Sequence, residues 1–99
     1  MQSTLNQSQP HTSSPRSEFE SKLCEFVNIP SVSADPSRKK DMERMAKTAC
    51  DTLRSFGAAQ VETFTTIGNP VVFAKFSSNP SAPTVTVYNH LDVQPADEP

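Results

Sequence analysis

Residues 35–57, DPSRKKDMERMAKTACDTLRSFG, carry the clearest structural pattern in this chain of 99 residues. Asp35 followed by Pro36 is typical of a helix N-terminus, because aspartate caps the first turn and a proline there loses no hydrogen bond. Gly57 stands where a left-handed C-cap is expected. Between them the apolar residues fall on one helical face and predict an amphipathic helix from Pro36 to about Phe56; they are Met42, Met45, Ala46, Ala49, Leu53 and Phe56.

A first helix is predicted before this one, over residues 17–28. Ser17 is its expected N-cap and Pro30 ends it, since the residue before a proline is disfavoured in helical geometry. Its apolar stripe consists of Phe19, Leu23, Phe26 and Val27. Residues 1–16 are rich in Ser, Gln, Thr and Pro, so we expect a disordered leader there.

Three strand-like segments follow the second helix. Residues 60–65 and 71–76, separated by a turn, predict a hairpin, and residues 84–89 predict a third strand that delivers His90 to its end. Both helices precede the strands, so one face of the sheet has no helix to cover it. We therefore expect an α/β fold that is the incomplete opening of a layered domain.

Composition excludes several classes of function. A formal net charge of -2 argues against a nucleic-acid partner, which needs a basic face. No apolar run is long enough to cross a bilayer, so no membrane partner is expected. Cys24 and Cys50 fall on apolar or helical positions, and we interpret both as buried free thiols of a reducing compartment, which favours a cytoplasmic location.

The chemistry of the chain is concentrated in residues 84–95, TVTVYNHLDVQP. A neutral imidazole is the commonest metal ligand, and a nearby carboxylate can fix its tautomer, so His90 and Asp92 suggest one corner of a metal site. The pattern alone also fits a surface histidine followed by a turn aspartate. A hydrolytic metal site needs about three protein ligands, and His11, in the leader, is a poor second candidate.

Residues 88–95, YNHLDVQP, resemble the first metal motif of the di-zinc metallopeptidase family of aminoacylase, carboxypeptidase G and carnosine dipeptidase. The ending DVQP resembles the dipeptidase branch. Residues 29–36, IPSVSADP, resemble the N-terminal loop of the family, and residues 69–74, NPVVFA, resemble its first hairpin. The resemblance runs from Phe19 to the end of the chain. Most relatives have glycine before the histidine, where this chain has Asn89.

The resemblance implies metal-assisted hydrolysis of an amide bond. His90 would be a ligand of one of two zinc ions, and Asp92 would belong to the catalytic machinery as the carboxylate that orients the imidazole. The remaining ligands and a glutamate base would lie downstream, so this chain would supply at most one zinc ligand and be inactive alone. Small peptides or N-acyl amino acids would be the substrates, and family members are often homodimers.

Residues 17–99 would then be the N-terminal part of a metallopeptidase catalytic domain. Two other interpretations stay open at this point. In the first, the chain is a non-catalytic remnant that keeps the opening of the fold. In the second, it is an unrelated small α/β binding module with a chance His-x-Asp.

Overall fold

The structure, a computed structural model, describes residues 15–96; residues 1–14, which include most of the predicted leader and His11, and residues 97–99 lie outside the described part. The described chain forms two α-helices, one 3-10 turn and a two-stranded antiparallel sheet. The α/β prediction is confirmed at this level. The elements are α1 (Pro15–Val27), the 3-10 turn (Pro36–Arg38), α2 (Lys39–Ser55), β1 (Gln60–Phe64) and β2 (Val71–Lys75).

The predicted start of the second helix is confirmed. Asp35 has extended backbone angles, and its carboxylate accepts hydrogen bonds from the backbone nitrogen of Ser37 at 2.9 Å and from the hydroxyl of Ser37 at 2.7 Å. Pro36 occupies the first helical position, where no N–H is needed. The first turn has 3-10 geometry and passes into the α-helix at Lys39.

The other end of α2 closes as the sequence predicts. Gly57 has a φ of 92°, in the left-handed region. The N–H of Gly57 donates to the carbonyl oxygen of Arg54 at 3.0 Å, and the N–H of Ala58 donates to the carbonyl oxygen of Leu53 at 3.1 Å. These two bonds form a Schellman motif, which satisfies the last helical carbonyls and directs the chain into β1.

The core lies between α2 and the hairpin. On α2, Met45 is 2% exposed, and Ala46, Ala49 and Cys50 are also buried. The helix packs on both strands, and the Cys50 Sγ atom lies 3.2 Å from the Thr63 Oγ1 atom of β1. The periodicity therefore identified the correct face of α2, except at its end, where Phe56 is exposed.

The hairpin has the predicted antiparallel pairing, with each strand one residue shorter than expected. Its register pairs Gln60 with Lys75 at the open end, and the face that includes Thr63 packs on α2. On the opposite face the rings of Phe64 and Phe73 meet edge to face, with centroids 6.5 Å apart, and both side chains remain exposed. One face of this sheet is therefore uncovered within residues 15–96.

Helix α1 differs from its prediction in position and in burial. It begins at Pro15, so Ser17 lies inside the helix and is not its N-cap, and the last two residues of the predicted leader are helical. Proline suits this first position because its fixed φ is already helical. The stripe side chains of Phe19, Leu23 and Val27 are exposed, and so is Cys24, in contrast to the buried thiol predicted there; Cys50 is buried as predicted.

The predicted third strand is wrong for the described chain. Residues 84–89 belong to no strand, and Val85 is 82% exposed. β-branched residues favour extended backbone, but a strand also needs a neighbour that accepts its hydrogen bonds. Within residues 15–96, β1 and β2 pair only with each other, so this segment has no ladder to join. None of the helices in the described part is long and apolar enough to span a membrane.

Candidate metal centre

The loop between the two helices, residues 29–35, forms one side of the site and is called the serine loop below. Ile29 is 1% exposed and anchors the start of the loop in the core. Ser31 donates its N–H to the carbonyl oxygen of Ile29 at 2.7 Å, and Val32 donates to that of Pro30 at 2.9 Å. A further bond, from the N–H of Asp35 to the carbonyl oxygen of Val32 at 3.1 Å, closes the loop before α2. These local bonds give the loop a compact shape.

A backbone bridge attaches the serine loop to the end of the described chain. The N–H of Val93 donates to the carbonyl oxygen of Ser31 at 2.9 Å, and Val32 and Val93 form an isolated parallel bridge. This is the contact that places residues 90–93 beside the loop. It explains how the His-x-Asp motif is positioned although residues 84–89 form no strand.

The side chains of Ser33, Asp92 and His90 form a hydrogen-bonded row across this bridge. The Ser33 hydroxyl donates to Asp92 Oδ2 at 2.6 Å, and His90 Nδ1 lies 3.0 Å from Asp92 Oδ1. The hydrogen bond from Ser33 and then that from His90 lower the pKa of the Asp92 carboxyl, so it is ionised at neutral pH. An ionised carboxylate only accepts hydrogen bonds, which puts the proton on Nδ1 and leaves a lone pair on Nε2 of a neutral His90.

The structure brings the side chains of His90 and Asp92 within hydrogen-bond distance of each other, but not in the setting that the sequence predicted. The side chain of His90 is 73% exposed, whereas that of Asp92 is 29% exposed. His90 therefore does not lie at the end of a buried strand, as the sequence suggested. The ring of Tyr88, which is itself exposed, meets the imidazole edge to face with the ring centroids 5.5 Å apart.

The donor set fits one ligand position of a metal ion. An imidazole with Nδ1 bonded to a carboxylate and Nε2 open is the form in which histidine commonly binds zinc. Within residues 15–96 no three His, Cys, Asp or Glu side chains come together in a group that could hold a metal. His90 is therefore the candidate ligand that the sequence indicated, and Asp92 is its hydrogen-bond partner.

Sequence reasoning missed Ser33. The serine stands 59 positions before Asp92, and no spacing rule connects residues so far apart. The only signal was indirect, since residues 29–36 and residues 88–95 both resembled parts of the same family.

Comparison with known proteins finds relatives among the metallodipeptidases. The chain is 33% identical over 90 residues to the Cys-Gly metallodipeptidase of Schizosaccharomyces pombe, across 82% of this chain and 19% of that protein. It is 33% identical over 92 residues to the Cys-Gly metallodipeptidase of Saccharomyces cerevisiae, across 80% of this chain and 19% of that protein. It is 38% identical over 96 residues to the human Beta-Ala-His dipeptidase, across 81% of this chain and 18% of that protein.

No family model and no solved structure matches the chain. The relatives nevertheless confirm the resemblance to the dipeptidase branch that the motifs indicated. The chain is homologous to a segment of the Cys-Gly metallodipeptidases and of the Beta-Ala-His dipeptidases, and it spans about one fifth of their length.

Proposed function

We propose that this chain is part of a zinc-dependent dipeptidase that hydrolyses an amide bond of a small peptide with metal-activated water. In this proposal His90 is a ligand of one zinc ion and Asp92 orients its imidazole. The single observation that carries the proposal is the hydrogen bond between His90 Nδ1 and Asp92 Oδ1 at 3.0 Å, in a chain homologous to metallodipeptidases.

The geometry explains what each of the two residues contributes. Asp92 keeps the proton on Nδ1, so the Nε2 lone pair of His90 is free for a metal. The same carboxylate makes the imidazole a more basic ligand, because it stabilises positive charge on the ring. When bound, zinc would polarise the scissile carbonyl and lower the pKa of a water molecule. The side chain of His90 is largely exposed, so a metal and further ligands can approach the ring.

The chain alone is expected to be inactive. A catalytic zinc site has about three protein ligands and one open position, and residues 15–96 contain no group of three side chains that could hold a metal. The general base and the other ligands of the proposed enzyme would lie outside this chain. The uncovered face of the hairpin supports the related proposal that residues 17–99 form the opening part of a layered catalytic domain.

Other properties of the whole protein belong to the same proposal. Small peptides as substrates follow from the dipeptidase activity named for its relatives. The net charge of -2 supports the absence of a nucleic-acid partner. Two free cysteines, Cys24 and Cys50, support a cytoplasmic location. A homodimer, as is frequent in the resembled family, is proposed by that resemblance only.

The proposal can be tested in a chimera. In the Cys-Gly metallodipeptidase of Saccharomyces cerevisiae, the matching segment is replaced by this chain, and zinc content and Cys-Gly hydrolysis are measured. We expect His90→Ala to remove one zinc ion and nearly all turnover. Asp92→Asn should preserve the fold and reduce zinc affinity or rate by about 10–100-fold, the usual scale for a carboxylate behind a metal-bound histidine.

The second histidine of the chain provides the matched control. His11→Ala in the same chimera should change neither zinc content nor rate. A folded, active chimera that is insensitive to His90→Ala would show that His90 is not a ligand. A folded chimera without zinc and without activity would favour the non-catalytic remnant. Zinc-dependent hydrolysis by this chain alone, abolished by His90→Ala, would contradict the expected inactivity.

A further inference from the structure

We propose that Ser33 is a positioning residue of the candidate metal centre. Its hydroxyl fixes the Asp92 carboxylate in the orientation that holds the proton on His90 Nδ1 and leaves Nε2 free for a metal ion. The link to a metal rests on the proposed function, whereas the positioning of the imidazole proton is a property of the chain itself.

The two oxygens of the Asp92 carboxylate have different partners. Oδ1 faces His90 Nδ1 at 3.0 Å, and Oδ2 accepts the Ser33 hydroxyl hydrogen at 2.6 Å. The terminal torsion of an aspartate is broad, so a carboxylate with one partner can rotate away from it. Two partners on opposite oxygens fix the plane of the group. Within residues 15–96, Ser33 is the only side chain besides His90 that donates to Asp92.

The backbone of Ser33 is itself held in place. Ser33 follows Val32, and Asp92 precedes Val93, so the serine and the aspartate flank the two residues of the parallel bridge. The hydrogen bond between Asp35 and Val32 closes the loop around Ser33. The buried side chain of Ile29 connects the same loop to the core. The hydroxyl therefore projects from a supported backbone, as a positioning group requires.

The neighbouring Ser31 shows that a serine in this loop need not act on the site. Ser31 is fully buried, and its Oγ atom has no hydrogen-bond partner in the described part of the chain. Only its backbone carbonyl takes part in the bridge, by accepting from Val93. The two serines thus have the same side chain in the same loop, and only the Ser33 hydroxyl reaches Asp92.

The test compares histidine tautomers in the 99-residue chain labelled with 15N. Two-bond 1H–15N spectra, recorded where His90 is neutral, distinguish a proton on Nδ1 from one on Nε2. The wild-type chain should show the Nδ1–H form. Ser33→Ala should shift His90 toward the Nε2–H form, which predominates in a free imidazole side chain. In the chimera, Ser33→Ala should lower zinc affinity by less than the ~10–100-fold expected for loss of the carboxylate.

Two matched variants separate positioning from a general effect on the loop. Ser31→Ala removes a hydroxyl without a partner and should leave the His90 tautomer unchanged. Ser33→Thr keeps a hydroxyl and should restore the Nδ1–H form. The proposal is overturned if Ser33→Ala leaves the tautomer unchanged, or if Ser31→Ala shifts it equally. If Ser33→Ala also moves the Val93 amide signal, rescue by Ser33→Thr decides in favour of the hydroxyl, and failure of that rescue decides against it.

The outcomes also separate this inference from the proposed function. A tautomer that depends on Ser33 in the 99-residue chain, together with a folded, active chimera whose zinc content is unchanged by His90→Ala, supports positioning and contradicts the metal role. Zinc binding that is lost in His90→Ala, with a tautomer independent of Ser33, supports the metal role and contradicts positioning.

Discussion

Helix α2 and the β1–β2 hairpin bury Met45, Ala49 and Cys50 between them, whereas the candidate metal centre is assembled from hydrogen bonds between side chains that water still reaches. Burial of apolar surface stabilises the fold roughly in proportion to the area removed from water. Exposed hydrogen bonds contribute little net free energy because water competes for each group. The comparison teaches that global stability and site geometry have separate origins in this chain, so each should respond to its own mutations.

The largest expected effect is on the packed region. Met45→Ala should lower the free energy of unfolding by about 2–5 kcal/mol, because it removes a large side chain from a fully packed position. Urea unfolding of the chain provides the measurement. Met42, a methionine of the same helix that is only half-buried, is the matched control, and Met42→Ala should cost less. Equal losses in the two variants would mean that the buried face of α2 is wrongly assigned.

A smaller effect is expected where the two regions meet, at Asp35. Asp35→Ala removes the side-chain acceptor for the Ser37 N–H, so the first turn of the helix should fray. The urea midpoint should fall, but less than in Met45→Ala, while Asp35→Asn should keep most of the cap. The His90 ring signals should not move in either variant. If they move, the site depends on the helix terminus and the two regions are not independent.

The smallest expected effect is on the pKa of Asp35 and on the stability of the fold at low pH. The Ser37 hydroxyl and then its backbone N–H, by donating to Asp35, lower the pKa of that carboxyl from its ordinary value of 3.8. A carboxyl with a lowered pKa in the folded state stabilises the fold above its unfolded pKa and loses this contribution as the pH falls through its folded pKa. Ser37→Ala should raise the Asp35 pKa toward the ordinary value, which carbon-detected NMR titration can measure. Ser33→Ala, which acts on Asp92, should leave the Asp35 titration unchanged.

The contrast between the packed region and the candidate metal centre also explains which features could be predicted from the sequence. Helix α2 was predictable because its apolar period, its Asp35 cap and its Gly57 terminus are all local signals. Helix α1 was predictable as a helix, but the pattern could not say what its stripe would contact, and Phe19 and Leu23 are exposed.

Long-range contacts could not be predicted from patterns of residues that are close in the sequence. The β-branched residues near Val85 expressed a propensity for extended structure, and that propensity could not supply a partner strand. His90 and Asp92 were identified because they are two residues apart and resemble a family motif. Their support by Ser33 depends on the bridge between Val32 and Val93, which no pattern of nearby residues indicates.

The hydrogen bond between Ser33 and Asp92 has an evolutionary consequence. It joins positions 59 residues apart that can mutate independently but act as one unit. Loss of the serine hydroxyl would relax selection on the carboxylate that it orients, and loss of the carboxylate would remove the reason to keep a hydroxyl at position 33. Among descendants of a common ancestor, the two positions should therefore be retained together or lost together.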